Sequence, residues 1–287
     1  ADGAALVSRV VRDVLARGEA ERAQTLIITP YHRERIAIND GIREGLRERN
    51  ILTGPDQDRE ILDSKGWTRA MMKEAQYYRP GDVLRFGRDY RSLNARKGDY
   101  GRVVAVNAEQ GVVSVRKDNG ELLQWLPRKH HQVEVYDSER RALAVGDTIR
   151  ITRNEGEIKN GEIARVTALH GDIATLDFGA RNSSQAVELD LTKNRHWDHA
   201  YASTIHSAQG ATEKRAVFVI RNPASENEKQ QELRLRDMAK IFGNRSFYVG
   251  ATRTSDELII YTDDKQAAAK AVALHQDKRS AVESLDR

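Results

Sequence analysis

The chain lacks cysteine and has few prolines and aromatic residues, and these absences exclude several classes of protein. It has 287 residues, no cysteine, five prolines and 6% aromatic residues. Without cysteine there is no disulfide framework, no thiolate zinc site and no cysteine nucleophile. The longest apolar runs, such as Thr25-Leu26-Ile27-Ile28, are too short to span a bilayer, and no signal peptide opens the sequence. We expect a cytoplasmic protein without membrane insertion, cut from a longer chain because it starts with Ala1 rather than Met.

The sequence also lacks the motifs that hold and hydrolyse nucleoside triphosphates. No Gly-Lys dipeptide occurs, so there is no Walker A loop, and no apolar strand ends in the Asp-Glu of a Walker B motif. Eight histidines are present, but His130, His131, His196 and His199 do not form a convincing ligand set. We therefore expect no metal, no cofactor and no ATP hydrolysis in this segment.

Charge is nearly balanced over the whole chain but uneven along it. The 47 basic and 43 acidic residues give a net charge of +4, too little by itself to indicate nucleic acid. Residues 77–135 hold 11 basic and 7 acidic residues, whereas residues 142–192 hold 5 and 8. The basic stretch also contains aromatic residues of the kind that stack bases, although they suit a small core equally well: Tyr77, Tyr78, Tyr90, Tyr100 and Trp125.

Both ends of the chain show the alternation of amphipathic helices and buried strands that is typical of an α/β layer. Short β-branched apolar runs predict strands of a parallel sheet. The predicted helices cover Ala5–Leu15, Glu34–Arg49, Asn227–Phe242 and Lys265–His275, and the predicted strands cover Thr25–Pro30, Ala216–Ile220 and Glu257–Tyr261.

The middle of the chain contains an internal repeat. Pro80–Phe86 matches Val145–Ile151, and Lys97–Val106 matches Asn160–Leu169 in the same order. Each copy predicts four or five short strands separated by Gly, Asp and Asn turns, which suits a small SH3-like barrel. A common turn followed by a strand is the alternative to duplication. The predicted fold class is α/β, a parallel-sheet subdomain interrupted by two small SH3-like β-barrels.

Two short segments of the sequence contain candidate phosphate-binding residues. Tyr201–Thr212 is a Ser/Thr-rich turn with His206 and a Gln-Gly pair, which offers hydrogen-bond donors to phosphates, or is simply a capped turn. Phe247–Leu258 places Arg253 just before a strand, where it either reaches a phosphate as an arginine finger or pairs with a nearby acid on the surface.

In this order the two segments resemble motifs V and VI of superfamily 1 helicases, and Ile27–Asn39 lies where motif IV belongs. The doubled insertion is similar to the helicase-type regions of conjugative relaxases. This resemblance implies the second RecA-like subdomain in two parts, residues 1–76 and 195–287. Between them it implies two barrels of the 2B type, residues 77–138 and 139–194.

The resemblance implies a function for the parent protein and another for this segment. The parent would be a DNA relaxase (nickase) and an ATP-dependent 5'-3' DNA helicase that uses ATP and Mg. The segment would hold single-stranded DNA and act as an internal translocation signal for type IV secretion. It would be a monomer that docks on the coupling ATPase and is exported to the recipient cell. Ser207 and Ala208 replace the usual Lys and Ser of motif V, which favours a helicase copy without ATPase activity.

Two other functions remain open from the sequence: part of the active helicase copy, or a protein-docking module that does not touch DNA. In all three cases no catalytic residue is predicted here. The predicted DNA contacts are Thr29, His32, Arg33, Lys97, Arg102, Thr204 and His206. The predicted nucleotide-site remnants are Gln209, Gly210 and Arg253, and the predicted docking residues are Arg116, Lys117, Arg128 and Lys129.

Overall fold

The computed structural model describes residues 3–179, 186–204, 213–221 and 254–273. Its helices are Gly3–Leu15 (α1), Glu19–Ala23 (α2), His32–Glu48 (α3), Arg69–Met72 (α4) and Lys265–Ala273 (α5), with 3-10 turns at Ala75–Tyr77 and Arg91–Leu93. Its strands are Thr25–Thr29 (β1), Thr53–Ser64 (β2), Val83–Phe86 (β3), Tyr100–Asn107 (β4), Val112–Lys117 (β5), Leu122–Trp125 (β6), Val133–Val145 (β7), Thr148–Ile151 (β8), Ile163–His170 (β9), Ile173–Asp177 (β10), Val187–Asp190 (β11), Trp197–His199 (β12), Ala202–Thr204 (β13), Glu213–Ile220 (β14) and Thr254–Thr262 (β15).

The two ends of the chain build one parallel sheet in the order β13-β1-β14-β15. Ile27 of β1 and Ile38 of α3 belong to its core. Gly45 lets α1 approach α3 closely, because a Cβ there would lie 2.1 Å from Leu15 Cδ1. The predicted α/β layer is confirmed, and we call it the parallel-sheet domain. The predicted helix Asn227–Phe242 lies outside the described residues.

The internal repeat is a duplication of structure. The first module (residues 80–136) has strand order β7-β3-β4-β5-β6, and the second module (residues 145–199) has the matching order β12-β8-β9-β10-β11. Their turns match bond for bond: Gly81 N donates to Val103 O and Gly146 N to Val166 O, both at 2.8 Å. Both glycines have φ near +98°, a conformation that glycine adopts easily. A shared turn motif of this detail indicates a common origin for the two modules.

A long antiparallel ribbon joins the two modules to the parallel-sheet domain. β2 pairs with β7 from Gln57–Leu143 to Ser64–Tyr136. Ile61 packs into the core of the second module, and Leu62 packs with Val83 at the edge of the first. β2 thus spans the two modules although it lies within the predicted segment 1–76, and β12 of the second module lies beyond residue 194.

Neither module is seen as a closed barrel. Within the described residues, each sheet runs in one open order and no strand pairing joins its first strand to its last. The prediction of two insertions built of short strands is confirmed, whereas their SH3-like closure is not. Of the helices that the structure describes, none is long and apolar enough to cross a membrane.

Candidate nucleic-acid interface

Three of the predicted DNA contacts lie at one edge of the parallel sheet. Thr29 of β1 and Thr204 of β13 are register partners at the carboxyl ends of adjacent parallel strands, and His32 begins α3 just beyond. This is the edge at which open α/β sheets bind their ligands. Thr29, however, is fully buried, so its side chain does not fit the predicted contact with DNA. Arg33 beside it is exposed.

His32 belongs to a cluster of charged groups between α3 and the ribbon. Its Nε2 lies 3.6 Å from Asp63 Oδ2, and its Nδ1 lies 3.3 Å from a guanidinium nitrogen of Arg35. Burial raises the pKa of Asp63, although the nearby charges of His32 and Arg35 oppose this shift. His32 remains half exposed. It can therefore contact a ligand while it is held on two sides.

Four further predicted site residues cannot be placed. His206, Gln209, Gly210 and Arg253 lie outside the described residues. The predicted nucleotide-site remnants and the central part of the motif V segment therefore stay predictions.

The first module contributes exposed cations from two adjacent loops. Gly87 N donates to Gln132 O at 2.8 Å, and Gln132 N donates to Tyr90 Oη at 3.0 Å, which holds the β3–β4 loop against the β6–β7 loop. The Arg88 guanidinium lies 5.0 Å from the centre of the Tyr90 ring. Burial, reinforced by the charges of neighbouring cations, lowers the pKa of His130 in the second loop. We call the exposed basic residues of these loops the loop cations: Arg88, Arg91, Arg96, Lys97, Arg128 and Lys129.

Among the loop cations, the sequence had indicated Lys97 as a DNA contact but did not single out Arg88, Arg91 and Arg96. The excess of basic residues over 77–135 was the signal that could have found them. Arg102, by contrast, is an ion-pair partner of Glu60 and donates to Gly81 O at 3.2 Å. Its charge is already matched within the fold, so Lys97 is the better candidate for a phosphate contact.

Three of the four predicted docking residues are exposed, and the fourth is not. Arg116, Arg128 and Lys129 are exposed, whereas Lys117 is only 6% exposed. Alternate residues of β5 point inward, which buries Lys117 beside Val115. Lys117 Nζ bonds to Asn94 O and, at 2.8 Å, to Glu121 Oε2. The prediction of Lys117 as a docking residue is wrong, because the pleat of β5 points its side chain toward the interior of the module.

Most of the aromatic residues of the basic stretch form the core of the first module. Tyr78, Tyr90 and Trp125 are buried, and the Tyr90 and Trp125 rings meet edge to face at 5.1 Å. Tyr77 is 41% exposed, and Tyr100 lies between the modules. The alternative that these residues pack a core is therefore confirmed for three of the five.

Polar side chains form the interface between the two modules. The Arg195 guanidinium of the second module lies 4.5 Å from the centre of the Tyr100 ring of the first. Tyr100 Oη and His196 Nε2 lie 2.8 Å apart. Arg195 also bonds to Glu60 Oε2 at 3.0 Å and to Asp118 Oδ2 at 2.9 Å. Burial would raise the pKa of Glu60, but hydrogen bonds from Ser138, Arg195 and Arg102 lower it, so the carboxylate stays charged.

α3 carries a ladder of three polar residues that sequence reasoning missed. Arg35 bonds to Asp198 at 2.6 Å, and Arg43 lies 3.1 Å from Asp147. Between them, Asn39 accepts from Ala202 N at 2.6 Å and donates to His199 O at 3.2 Å. Their spacing of four residues places them on one face of the helix. That spacing is readable from the sequence, but the partners, about 100 to 160 residues away, are not.

In the part of the chain that the structure describes, no group of three or more His, Asp or Glu side chains is placed to hold a metal ion. Of the four histidines noted above, His130, His196 and His199 lie against aromatic rings. His199 Nε2 lies 3.0 Å from Ala142 O, and burial lowers the pKa of this imidazole.

Comparison with known proteins finds similarity to two conjugation proteins. No protein-family model matches it. It is 26% identical over 278 residues to the multifunctional conjugation protein TraI of Escherichia coli K12, covering 93% of this chain and 14% of TraI. It is 36% identical over 124 residues to the conjugal transfer protein TraA of Rhizobium radiobacter, covering 41% of this chain and 11% of TraA.

Solved structures of Pif1 helicases align with most of the chain at low TM-scores. Pif1 from Bacteroides bound to single-stranded DNA gives a TM-score of 0.25 at 11% identity, covering 93% of this chain and 47% of that one. Pif1 from Candida albicans gives 0.28 at 11% identity, covering 93% and 51%. Over 93% of its length the chain is therefore similar to one segment of TraI, and it spans 14% of that protein.

Proposed function

We propose that this chain is a DNA-holding segment of a conjugative relaxase–helicase: a RecA-like subdomain that carries two SH3-like modules. Two observations support the proposal. The similarity to TraI runs through 93% of the chain, and both modules are inserted between α3 and β13 of one parallel sheet. The ligand is single-stranded DNA.

The proposed DNA binding is supported mainly by the positive charge of the two joined loops of the first module. Arg88, Arg91, Arg96 and Lys97 form no salt bridge within the described residues, and each is exposed. Exposed, unpaired cations are the groups that replace counterions along a phosphate backbone. Lys129 adds a further charge from the neighbouring loop.

The affinity for a labelled single strand should fall steeply with salt. Each phosphate contact contributes about 0.7 to the slope of log affinity against log salt on single strands. Replacing Arg91 and Lys97 by alanine should therefore reduce that slope by about 1.4. Fluorescence anisotropy at several salt concentrations measures both values.

The control is Arg12→Ala, which removes an exposed arginine paired with Asp13 on α1 of the parallel-sheet domain and should leave the slope unchanged. Salt-independent binding would instead favour a module that docks only on protein, whereas equal affinity for duplex DNA would contradict the preference for single strands.

The segment acts without ATPase activity of its own. The chain has no Gly-Lys dipeptide, so it lacks the loop whose N–H groups cradle the phosphates. Phosphate release from ATP should stay at the buffer background with and without single-stranded DNA. DNA-stimulated release that is lost in Arg253→Ala would show that the segment belongs to an active helicase copy.

The segment also serves as an internal translocation signal that docks on the coupling ATPase of a type IV secretion system. Arg116 supports this role because it is exposed on β5 opposite Leu122, which is 52% exposed. Arginine is enriched at protein–protein interfaces relative to the rest of the surface. Arg128 and Lys129 extend the same basic module.

A reporter fused to this chain should be transferred from donor to recipient cells through a working secretion apparatus. Arg116→Glu should lower transfer severalfold while single-strand affinity is unchanged, because Arg116 lies outside the loop cations. Glu109→Arg, at an exposed turn of the same module, is the charge-reversal control. A fusion that crosses equally well after residues 80–191 are deleted would refute the signal.

A further inference from the structure

We propose that the segment between β2 and the first module forms a pocket for one unstacked base of single-stranded nucleic acid. This inference rests on the proposed DNA binding and adds a specific subsite to it. The cavity has a volume of about 400 Å³ and is lined by Arg69, Ala70, Met71, Lys73, Glu74 and Tyr77. That volume lies within the range of small-ligand sites in proteins, about 300–1,000 Å³.

Hydrogen bonds and aromatic contacts hold the segment around this pocket in place. Tyr78 is fully buried, and its hydroxyl donates to Met72 O at 2.7 Å. Thr68 Oγ1 accepts from Met71 N at 3.3 Å and caps the short helix α4. Trp67 meets Tyr78 edge to face at 5.0 Å, and Lys65 Nζ lies 5.3 Å from the Trp67 ring. A pocket fixed in this way needs little ordering when a ligand binds.

Tyr77 offers the pocket an aromatic ring. It is 41% exposed, and its ring stands edge to face against Trp67 at 6.2 Å. The other aromatic residues that the sequence singled out near it, Tyr78 and Tyr90, are buried. A supported but exposed ring is the platform on which proteins stack the bases of single strands.

The exposed basic residues at the edge of the pocket favour a base that is attached to a phosphate backbone. Arg69 and Lys73 are exposed and form no ion pair within the described residues. The acid that lines the pocket, Glu74, is paired with Arg128 at 3.2 Å. Arg128 is itself one of the loop cations, so the pocket adjoins the surface proposed to follow the DNA backbone. A strand bound along those loops can therefore place one base against Tyr77.

Tryptophan fluorescence of the full chain tests the pocket with a 12-nucleotide oligothymidylate as the probe. Trp125 and Trp197 are at most 1% exposed, whereas Trp67 is partly exposed and its ring lies against Tyr77 of the pocket. Binding should quench Trp67, and Trp67→Phe should remove the quenching while anisotropy still reports binding. Tyr77→Ala should weaken binding about tenfold, whereas Tyr77→Phe should bind within about twofold of the original chain because it keeps the ring.

The dependence of the affinity on salt concentration distinguishes the contribution of base stacking from that of charge. Tyr77→Ala should leave the salt slope unchanged, whereas Lys73→Ala should lower it by about 0.7. If the oligothymidylate binds but Tyr77→Ala binds equally well and Trp67 is not quenched, the pocket is wrong and the DNA-binding proposal stands. If no oligonucleotide binds at low salt, both proposals fail. Displacement by polyglutamate with no effect of Tyr77→Ala would identify the rim as a site for acidic protein.

Discussion

Asp147→Ala should lower the free energy of unfolding by about 3–5 kcal/mol, the range for breaking a buried ion pair. Asp147 is fully buried and receives Arg43 Nε at 3.1 Å, Tyr201 Oη at 2.8 Å and Ala144 N at 2.7 Å. Burial and the Asp147 charge raise the pKa of Tyr201, so its hydroxyl stays protonated and donates. Removing the carboxylate takes the acceptor away from three donors, one of them fully buried and two partly buried. Chemical denaturation followed by circular dichroism measures the loss.

The matched control for this prediction is Asp56→Ala. Asp56 pairs with the same arginine, Arg43, and with Arg47, but its side chain is 43% exposed. Exposed ion pairs contribute about 0–1 kcal/mol, so this variant should be much less destabilised. Equal losses for the two variants would mean that Asp147 does not anchor the second module to α3.

Stability should also fall as the pH drops from 7.5 to 5, and His196 should supply about 2 kcal/mol of that loss. Burial, followed by the positive charges of Arg153, Arg85 and Arg195, lowers the pKa of His196 to about 4, although Glu134 opposes this shift. The folded pKa lies below the unfolded value of 6.5. The neutral imidazole therefore stabilises the fold above pH 6.5, and that contribution is lost as the pH falls toward 4.

His196→Gln isolates this contribution. Glutamine has no titratable group, and its amide can still form a hydrogen bond with Tyr100 Oη, which now lies 2.8 Å from His196 Nε2. The free energies of unfolding of both proteins at pH 7.5 and pH 5 provide the comparison. The variant should lose about 2 kcal/mol less than the original chain over this interval. Parallel losses would place the pH sensitivity in other groups, such as His199, whose pKa burial also lowers.

Much of the secondary structure was predictable because short-range rules govern it. The α1 and β1 segments and the strands β14 and β15 lie within a few residues of their predicted bounds, since apolar periodicity and buried β-branched runs act locally. The duplication was also predictable, because each Gly-Asp turn needs a glycine with positive φ and an acid that caps the turn. Asp82 accepts from Arg79 N at 2.9 Å, as Asp147 does from Ala144 N.

The candidate site was less predictable because exposure depends on distant packing. Lys117 and Arg116 are neighbours in sequence, yet the pleat of β5 buries the first and exposes the second. Thr29 ends a strand at the expected edge but is covered. Tyr77 and Tyr78 are adjacent and identical, and only the folded segment decides which ring faces solvent. Residue type and spacing cannot distinguish such pairs.

The parallel-sheet domain, the duplicated insertion and the resemblance to conjugative relaxase–helicases all follow from the amino-acid sequence, because each depends on local patterns and motif order. How these parts are joined is seen only in the folded chain. Glu60, Arg195 and Tyr100 meet between the modules, and Arg43 reaches Asp147 across 104 positions of sequence. Such contacts form where the long β2–β7 ribbon brings distant segments together. A buried charge that lacks its partner destabilises the fold, so these ion pairs favour one arrangement of the segments over others.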